Sequence, residues 1–407
     1  MPKSNFPYKG FSSLAIHAGH EKESNNAHVL PIYASSSYIF DSAEQGMKRF
    51  SGEEKGYTYS RFGNPSFTEA EEKIALMEGF GVGADGNNVE LKAILHSSGM
   101  AAVNTLLFSC LQKGDKVLTH DALYGGTEEL TKKILPSLGI NAAVADLNNL
   151  QAVEDVIKKD ASIKMVYIET PSNPTIRCVD LGAVSSLAKR YRILVACDNT
   201  VATPYLQQPF KYDVDFVIHS TTKFLNGHGT AVGGVLIGKD LEFMQTKVRK
   251  THHLLGGNSN PFDSFLLVNG LKTLELRMKQ HCANATEVAS FLNTHRSVAR
   301  VNYNGLPSHP DYELSKKQMR HAGAVLSFEL KDGLPAGVQF IDKLKMCTRA
   351  VSLGTCDTLI SHPASMSHAG IPADTRAKYG ITDGLIRMSV GIENCEDIIA
   401  DLEQALG

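Results

Sequence analysis

Residues 193–223 read ILVACDNTVATPYLQQPFKYDVDFVIHSTTK, and this stretch decides the fold. Two short apolar runs, ILVAC (193–197) and DFVIHS (215–220), are each followed at once by polar residues: Asp198, Asn199 and Thr200 after the first, Thr221, Thr222 and Lys223 after the second. Apolar runs this short, bounded by polar loops, read as strands buried on both faces.

Working outward, the same rhythm recurs in LKAILHS (91–97), DKVLTHD (115–121), NAAVAD (141–146), KMVYIET (164–170) and GGVLIG (233–238). Helix-like stretches lie between several of them: GMAAVNTLLFSCL (99–111), LQAVEDVIKK (150–159) and LGAVSSLAKRY (181–191). Strands alternating with helices predict an α/β domain built on a mainly parallel sheet covered on both faces, placed at residues 61–260. Residues 1–60, rich in Ser, Gly, Tyr and Pro, read as an extended arm. Near Asn260-Pro261 the rhythm changes. One long helix is predicted over 263–295, then strands AVLSFEL (324–330) and LIRMSVGIE (385–393) and a closing helix over 396–406, which makes 261–407 a smaller C-terminal α+β domain.

The bulk numbers narrow the class. A chain of 407 residues with 43% hydrophobic and 21% charged residues suits a globular enzyme of two domains. Lys+Arg at 41 against Asp+Glu at 43 leaves a net charge of −2, which gives no reason to expect nucleic acid or an anionic membrane as partner. No apolar run reaches the length of a membrane span. Seven cysteines are scattered without a C-x-x-C pair, so neither a zinc site nor a dithiol motif is expected; buried thiols in a reducing cytoplasm are.

In open parallel sheets ligands bind beyond the carboxyl ends of the strands. What stands at those ends is Ser98-Gly99-Met100 opening a helix, Pro171-Ser172-Asn173-Pro174, Asp198, and the hydroxyl-rich loop that ends in Lys223. A lone lysine is most often a solvated charge, and a lone strand-end aspartate most often a helix cap. Together they make a set: an amine for an aldehyde, an acid for a pyridine nitrogen, and a helix N-terminus at Gly99 and Met100 for a phosphate, with the Ser220 and Thr222 hydroxyls beside it. That set suits pyridoxal 5'-phosphate.

The stretch DFVIHSTTKFLNGHG (215–229) resembles the cofactor-attachment signature of the Cys/Met metabolism (trans-sulfuration, γ-family) enzymes. The resemblance continues through YSRFGNPS (59–66), HSSGMAA (96–102), LYGGT (123–127), ETPSNP (169–174), DNTVATPYLQQPF (198–210) and SLGTCDTLISHPASMSH (352–368). It implies the type I fold of PLP-dependent transferases. It also implies that Lys223 carries the cofactor and shuttles protons, that Asp198 pairs the pyridine nitrogen, and that Tyr124 stacks on the ring and assists the leaving group. Gly99, Met100, Ser220 and Thr222 match phosphate ligands, and Asn173 lies beside the ring oxygen. Tyr59 and Arg61 match a pair that reaches the phosphate of a neighbouring subunit, in homodimers commonly paired into tetramers. Arg387 and Ser352 match holders of the carboxylate of a small amino-acid substrate. Alternation in LIRMSVG agrees, since it sets Arg387 and Ser389 opposite Ile386, Met388 and Val390.

Within the family, the C-terminal portion looks most like methionine γ-lyases, and Val351 stands where cystathionine enzymes usually carry Glu. The YGGT around Gly126 departs from the YGCT of well-known methionine γ-lyases and leans toward γ-replacement on O-acetyl-L-homoserine. A catalytically silent PLP-binding regulator would have no use for the intact set of Lys223, Asp198, Tyr124 and Arg387. Three other patterns read as incidental. Gly81-x-Gly83-x-x-Gly86 follows a helix and precedes a strand, the reverse of a dinucleotide fingerprint, and reads as a turn. The pairs His252-His253 and His362/His368 lack metal-ligand spacing. Lys247, Arg249 and Lys250 read as an exposed helix face.

Overall fold

The computed structural model describes residues 7–19, 25–367, 369–370, 372–378 and 380–407. All seven apolar runs become strands of one sheet: β1 (Lys92–His96), β2 (Lys116–Thr119), β3 (Asn141–Val144), β4 (Ile163–Glu169), β5 (Leu194–Asp198), β6 (Phe216–His219) and β7 (Gly234–Gly238), in the order β1-β7-β6-β5-β4-β2-β3. The pairs from β3 through β6 are parallel, while β7 runs antiparallel to both β6 and β1. The reversal has a local cause: residues 220–233, which join β6 to β7, contain no helix to carry the chain back across the sheet.

Both faces of the sheet are covered. Ile94, Met165, Tyr167, Ala196 and Ile218 pack under the helix Gly99–Cys110 on one side. Leu95, Val166, Val195, Cys197 and Val217 pack against the helices Pro65–Gly79 and Leu181–Arg190 on the other. This two-sided burial is why the strands are apolar throughout rather than alternating.

The predicted helix over 263–295 is two helices, Pro261–Leu271 and Leu274–Thr294. The break follows Gly270, whose missing side chain lets the helix lie against the loop after Lys223: a Cβ there would stand 2.1 Å from the Asn226 carbonyl oxygen. Leu274, Met278 and Cys282 belong to the core of the large sheet, whereas Ala285, Val288 and Leu292 belong to a second core. That second core is built on β8 (Val298–Asn302), β9 (Val325–Leu330), β10 (Thr348–Arg349), β11 (Leu359–Ser361) and β12 (Leu385–Ser389), in the order β10-β11-β12-β9-β8, with the helix Cys395–Leu406 packed on it.

The N-terminal stretch is less extended than its composition predicts. It includes the helices Phe11–His17 and Ala43–Ser51, and Phe11, Leu14 and Ala15 are buried in the large core. Buried Lys73 ties this segment down, its Nζ donating to the Ala15 carbonyl at 2.9 Å. No helix among the described residues is long and apolar enough to cross a membrane.

Candidate active site

The carboxyl ends of β1, β4, β5 and β6 deliver the expected residues to one edge. Asp198 closes β5 and is the register partner of Glu169, which closes β4, so the two carboxyl groups project side by side on one face. The Asp198 carboxylate accepts the Thr200 N–H at 3.0 Å and the Tyr167 hydroxyl at 3.3 Å. Burial pushes Asp198 above the usual carboxylate range. Burial, with the Asp198 charge added, pushes Glu169 up to about 8.

Thr200 then links to the lysine loop, its hydroxyl accepting the Ser220 N–H at 2.8 Å. Ser220 in turn abuts the helix opening at Gly99, where a Cβ would stand only 3.0 Å from the Ser220 Cβ. Ser98 caps that helix, its Oγ accepting the Ala101 N–H at 3.1 Å. The N–H groups of Gly99 and Met100 belong to the first turn, which helix geometry leaves without intrahelical acceptors. A phosphate placed there meets the positive end of a twelve-residue helix. Thr222 is engaged locally, its hydroxyl exchanging bonds with Gly233.

Lys223 points toward the smaller domain. Its Nζ donates to Ser352 Oγ at 2.7 Å. Burial, then the charge of Arg387, lower its pKa to about 8, so a sizeable neutral, nucleophilic fraction exists near physiological pH. Arg387 is 7% exposed and donates through Nη2 to the Ser352 carbonyl at 2.6 Å, while its Nε is buried without a partner among the described residues. Burial lowers this guanidinium to about 10. The predicted alternation holds: Ile386, Met388 and Val390 enter the small core, while Ser389 Oγ accepts the Gly354 N–H at 2.8 Å. Ser352 sits at φ +82°, a left-handed conformation that costs a non-glycine residue about 1 kcal/mol.

Tyr124 begins the helix Gly125–Glu129, its ring is 53% exposed, and its N–H donates to Glu169 Oε2 at 2.7 Å. A Cβ on Gly126 would lie 2.7 Å from Tyr124 Cε1 and 3.1 Å from Met100 Sδ, so a side chain at 126 would strike both residues. Asn173 Oδ1 is buried with no hydrogen-bond partner among the described residues. Tyr59 and Arg61 are engaged outside this cluster: Arg61 donates to the His253 carbonyl at 2.8 Å and lies 4.6 Å over the Phe62 ring.

The donor set fits pyridoxal phosphate on its own terms. An amine of depressed pKa, a carboxylate and an open helix N-terminus stand at one edge of the sheet, and two buried polar atoms, Asn173 Oδ1 and Arg387 Nε, have no hydrogen-bond partner among the described residues. Glu169, Thr200 and Tyr167 were not singled out from the sequence. Glu169 was visible as a carboxylate at a strand end, the feature that marked Asp198.

The incidental patterns resolve as follows. Gly81, Gly83 and Gly86 form a turn between the helix Pro65–Gly79 and β1. His252 packs edge-on against His96, and His253 Nε2 meets the Phe62 carbonyl. His362 is held between Ser365 and the Asp383 carbonyl, and His368 lies outside the described residues. Arg249 corrects an expectation. Lys247 and Lys250 are exposed, but Arg249 turns inward to a two-bond salt bridge with Glu71, at 3.0 and 2.8 Å. Of the cysteines, Cys178, Cys197, Cys282 and Cys347 are buried; Cys110, Cys356 and Cys395 are half-buried.

A two-domain α/β protein with a half-buried lysine, a strand-end carboxylate and a phosphate-ready helix at one sheet edge has the build of a cofactor-carrying lysine enzyme. The chain belongs to the Cys/Met metabolism PLP-dependent enzyme family, whose model matches residues 12–407. It is 46% identical over 398 residues to the L-methionine gamma-lyase of Fusobacterium nucleatum subsp. nucleatum, covering 98% of each chain. It is 42% identical to the L-methionine gamma-lyase of Porphyromonas gingivalis, covering 100% of this chain and 99% of that one. Among solved structures, the cystathionine gamma synthase of Xanthomonas oryzae pv. oryzae in complex with aminoacrylate and cysteine aligns with a TM-score of 0.90 at 37% identity, covering 98% of both chains.

Proposed function

We propose that this enzyme catalyses γ-elimination on L-methionine, giving 2-oxobutanoate, methanethiol and ammonia. The observation that carries the chemistry is the Lys223–Ser352–Arg387 contact: a partly neutral amine held 2.7 Å from a hydroxyl whose own backbone is gripped by a buried guanidinium. The choice of methionine rests on the 46% and 42% identities to methionine γ-lyases and on Val351, an uncharged and 58% exposed residue beside Ser352. Val351 offers no carboxylate to a distal amino group.

Pyridoxal phosphate, when bound, supplies an aldehyde and an electron-withdrawing ring. The Gly99–Met100 turn and Ser220 would hold its phosphate, with the Thr222 hydroxyl beside them, and Asn173 would lie beside the ring oxygen. Asp198 would keep a proton on the ring nitrogen. Arg387 takes the substrate carboxylate in its fork, with Ser352 alongside. Lys223 Nζ would then remove the proton from the substrate α-carbon and, once relieved of it, take one from the β-carbon. As the Cγ–S bond breaks and a Cβ–Cγ double bond forms, the Tyr124 hydroxyl would give its proton to the departing methanethiolate, and water would hydrolyse the remaining four-carbon enamine to 2-oxobutanoate and ammonia. Tyr59 and Arg61 serve the site of a second copy in a homodimer or homotetramer, with 1–60 as the arm, 61–260 as the cofactor domain and 261–407 as the smaller domain.

One observation favours a second reading, γ-replacement on O-acetyl-L-homoserine: Gly126 leaves the Tyr124 ring resting where a side chain would stand. The test is 2-oxobutanoate formation from L-methionine by the PLP-loaded protein, with Lys223→Ala as control. Formation that disappears in the variant supports the proposal; residual turnover in Lys223→Ala removes that lysine from the mechanism.

A further inference from the structure

Glu169 has no part in the steps above, yet its carboxyl group lies within the site. It closes β4, is 5% exposed, and accepts the Tyr124 N–H at 2.7 Å. The Asn173 N–H lies close enough to the same carboxyl group to act on it electrostatically. Its own N–H donates to His120 Nε2 at 3.1 Å, which fixes that ring as the acceptor tautomer and excludes it as a cation partner. Asp198 is the lateral neighbour on β5. Two carboxyl groups buried side by side do not both ionise at neutral pH. Asp198 is only half-buried and has the Thr200 N–H and the Tyr167 hydroxyl aimed at its oxygens, whereas Glu169 is 5% exposed, so the charge costs less on Asp198. Glu169, pushed up to about 8, is left as the acid that keeps its proton.

We propose that Glu169 is the positioning residue of this site: its carboxyl group holds the Tyr124 and Asn173 backbones against the cofactor ring and leaves the pyridine-nitrogen charge to Asp198. The proposal rests on the stacking of Tyr124 on the ring but not on methionine being the substrate. A merely structural carboxyl would be indifferent to whether Gln or Asp replaces it. A neutral group of fixed reach is not: Gln keeps the reach, the acceptor oxygen and the neutrality, whereas Asp keeps the acid and falls one methylene short of Tyr124.

The experiment compares Glu169→Gln, Glu169→Asp, Glu169→Ala and Tyr124→Ala by two readouts: titration of each apoprotein with pyridoxal phosphate, and the visible circular dichroism of the bound cofactor. Glu169→Gln keeps the dichroic band and binds the cofactor within about threefold of the parent. Glu169→Asp and Glu169→Ala weaken binding by roughly tenfold or more, the cost of leaving a buried N–H unpaired, and change the band in the direction that Tyr124→Ala does. If Glu169→Ala does not fold, by melting and near-ultraviolet dichroism, Glu169→Asp carries the comparison. Glu169→Gln as damaged as Glu169→Asp overturns the neutral-acid role. Unaltered Glu169→Asp beside an altered Tyr124→Ala overturns the positioning role. An unaltered Tyr124→Ala removes the stacking premise itself, a signature distinct from the other two.

Discussion

Replacing Arg387 by methionine is expected to impair function sharply while leaving stability unharmed or improved. Arg387 is 7% exposed, and among the described residues its guanidinium makes one hydrogen bond, Nη2 to the Ser352 carbonyl, with Nε buried and unpartnered. It is thus a desolvated cation whose protein contacts do not satisfy it; a substrate carboxylate would. Truncating one member of such a buried charge pair costs about 2–5 kcal/mol, or roughly thirty- to several-thousandfold in kcat/KM. The carboxylate is held alike before and during reaction, so most of the loss falls on KM. The stability effect has the opposite sign. A buried charge exchanged for an apolar side chain of similar volume is commonly neutral, or stabilising by about 1–4 kcal/mol, less the cost of an unpaired Ser352 carbonyl. Substrate-dependent kinetics and thermal melting on the same preparation read both quantities. Arg387→Lys, which keeps the charge but not the fork, falls between. A parent-like KM in Arg387→Met, or a large drop in Tm, refutes the reasoning, because the guanidinium would then be a structural brace rather than a carboxylate holder.

Lys223 is lowered from the ordinary 10.5 to about 8 by burial and then by Arg387. In the cofactor-free protein, pyridoxal phosphate uptake therefore rises with pH to a midpoint near 8, and Arg387→Met moves that midpoint upward. Between those two values the unfolded chain holds more protons than the folded one, so this group's contribution to stability increases with pH across the window and is flat below it; a melting series that falls across the window contradicts the assignment. Ser352→Gly relieves the φ of +82° while removing the hydroxyl that Lys223 meets. Relative to Ser352→Ala it is more stable by about 1 kcal/mol, with equal loss of the Lys223 contact, read as denaturation midpoint and uptake profile. Gly126→Cys places a Cβ 2.7 Å from Tyr124 Cε1 and forces the ring aside. Assayed on O-acetyl-L-homoserine with and without thiol, it shifts the partition between elimination and replacement; an unchanged partition shows the contact to be immaterial.

The large sheet was legible because strands buried on two faces cannot hide: apart from the edge strand Asn141–Val144, whose ends are exposed, the runs had to be largely apolar. The strands that escaped notice in the smaller domain are short or weakly patterned, Leu359–Ser361 being buried but only three residues long. Val298–Asn302 leaves Ala299 and Arg300 exposed, and Thr348–Arg349 is only two residues long and exposed. Asp198 and Lys223 were readable because each follows a strand directly. Glu169 occupies the same kind of position, but its meaning depends on sheet order, since only the register of β4 on β5 sets it beside Asp198. The misread Arg249 shows the same limit from another side. Nothing local marks it as buried, because its partner Glu71 lies 178 residues away in sequence.

The central claim is γ-elimination on methionine, and product analysis of the PLP-loaded protein tests it most directly. L-methionine is supplied alone, and O-acetyl-L-homoserine is supplied separately with and without a thiol. The account predicts 2-oxobutanoate, methanethiol and ammonia from methionine in equal amounts. Inert methionine, together with thiol-dependent thioether formation from the acetyl ester, would contradict it.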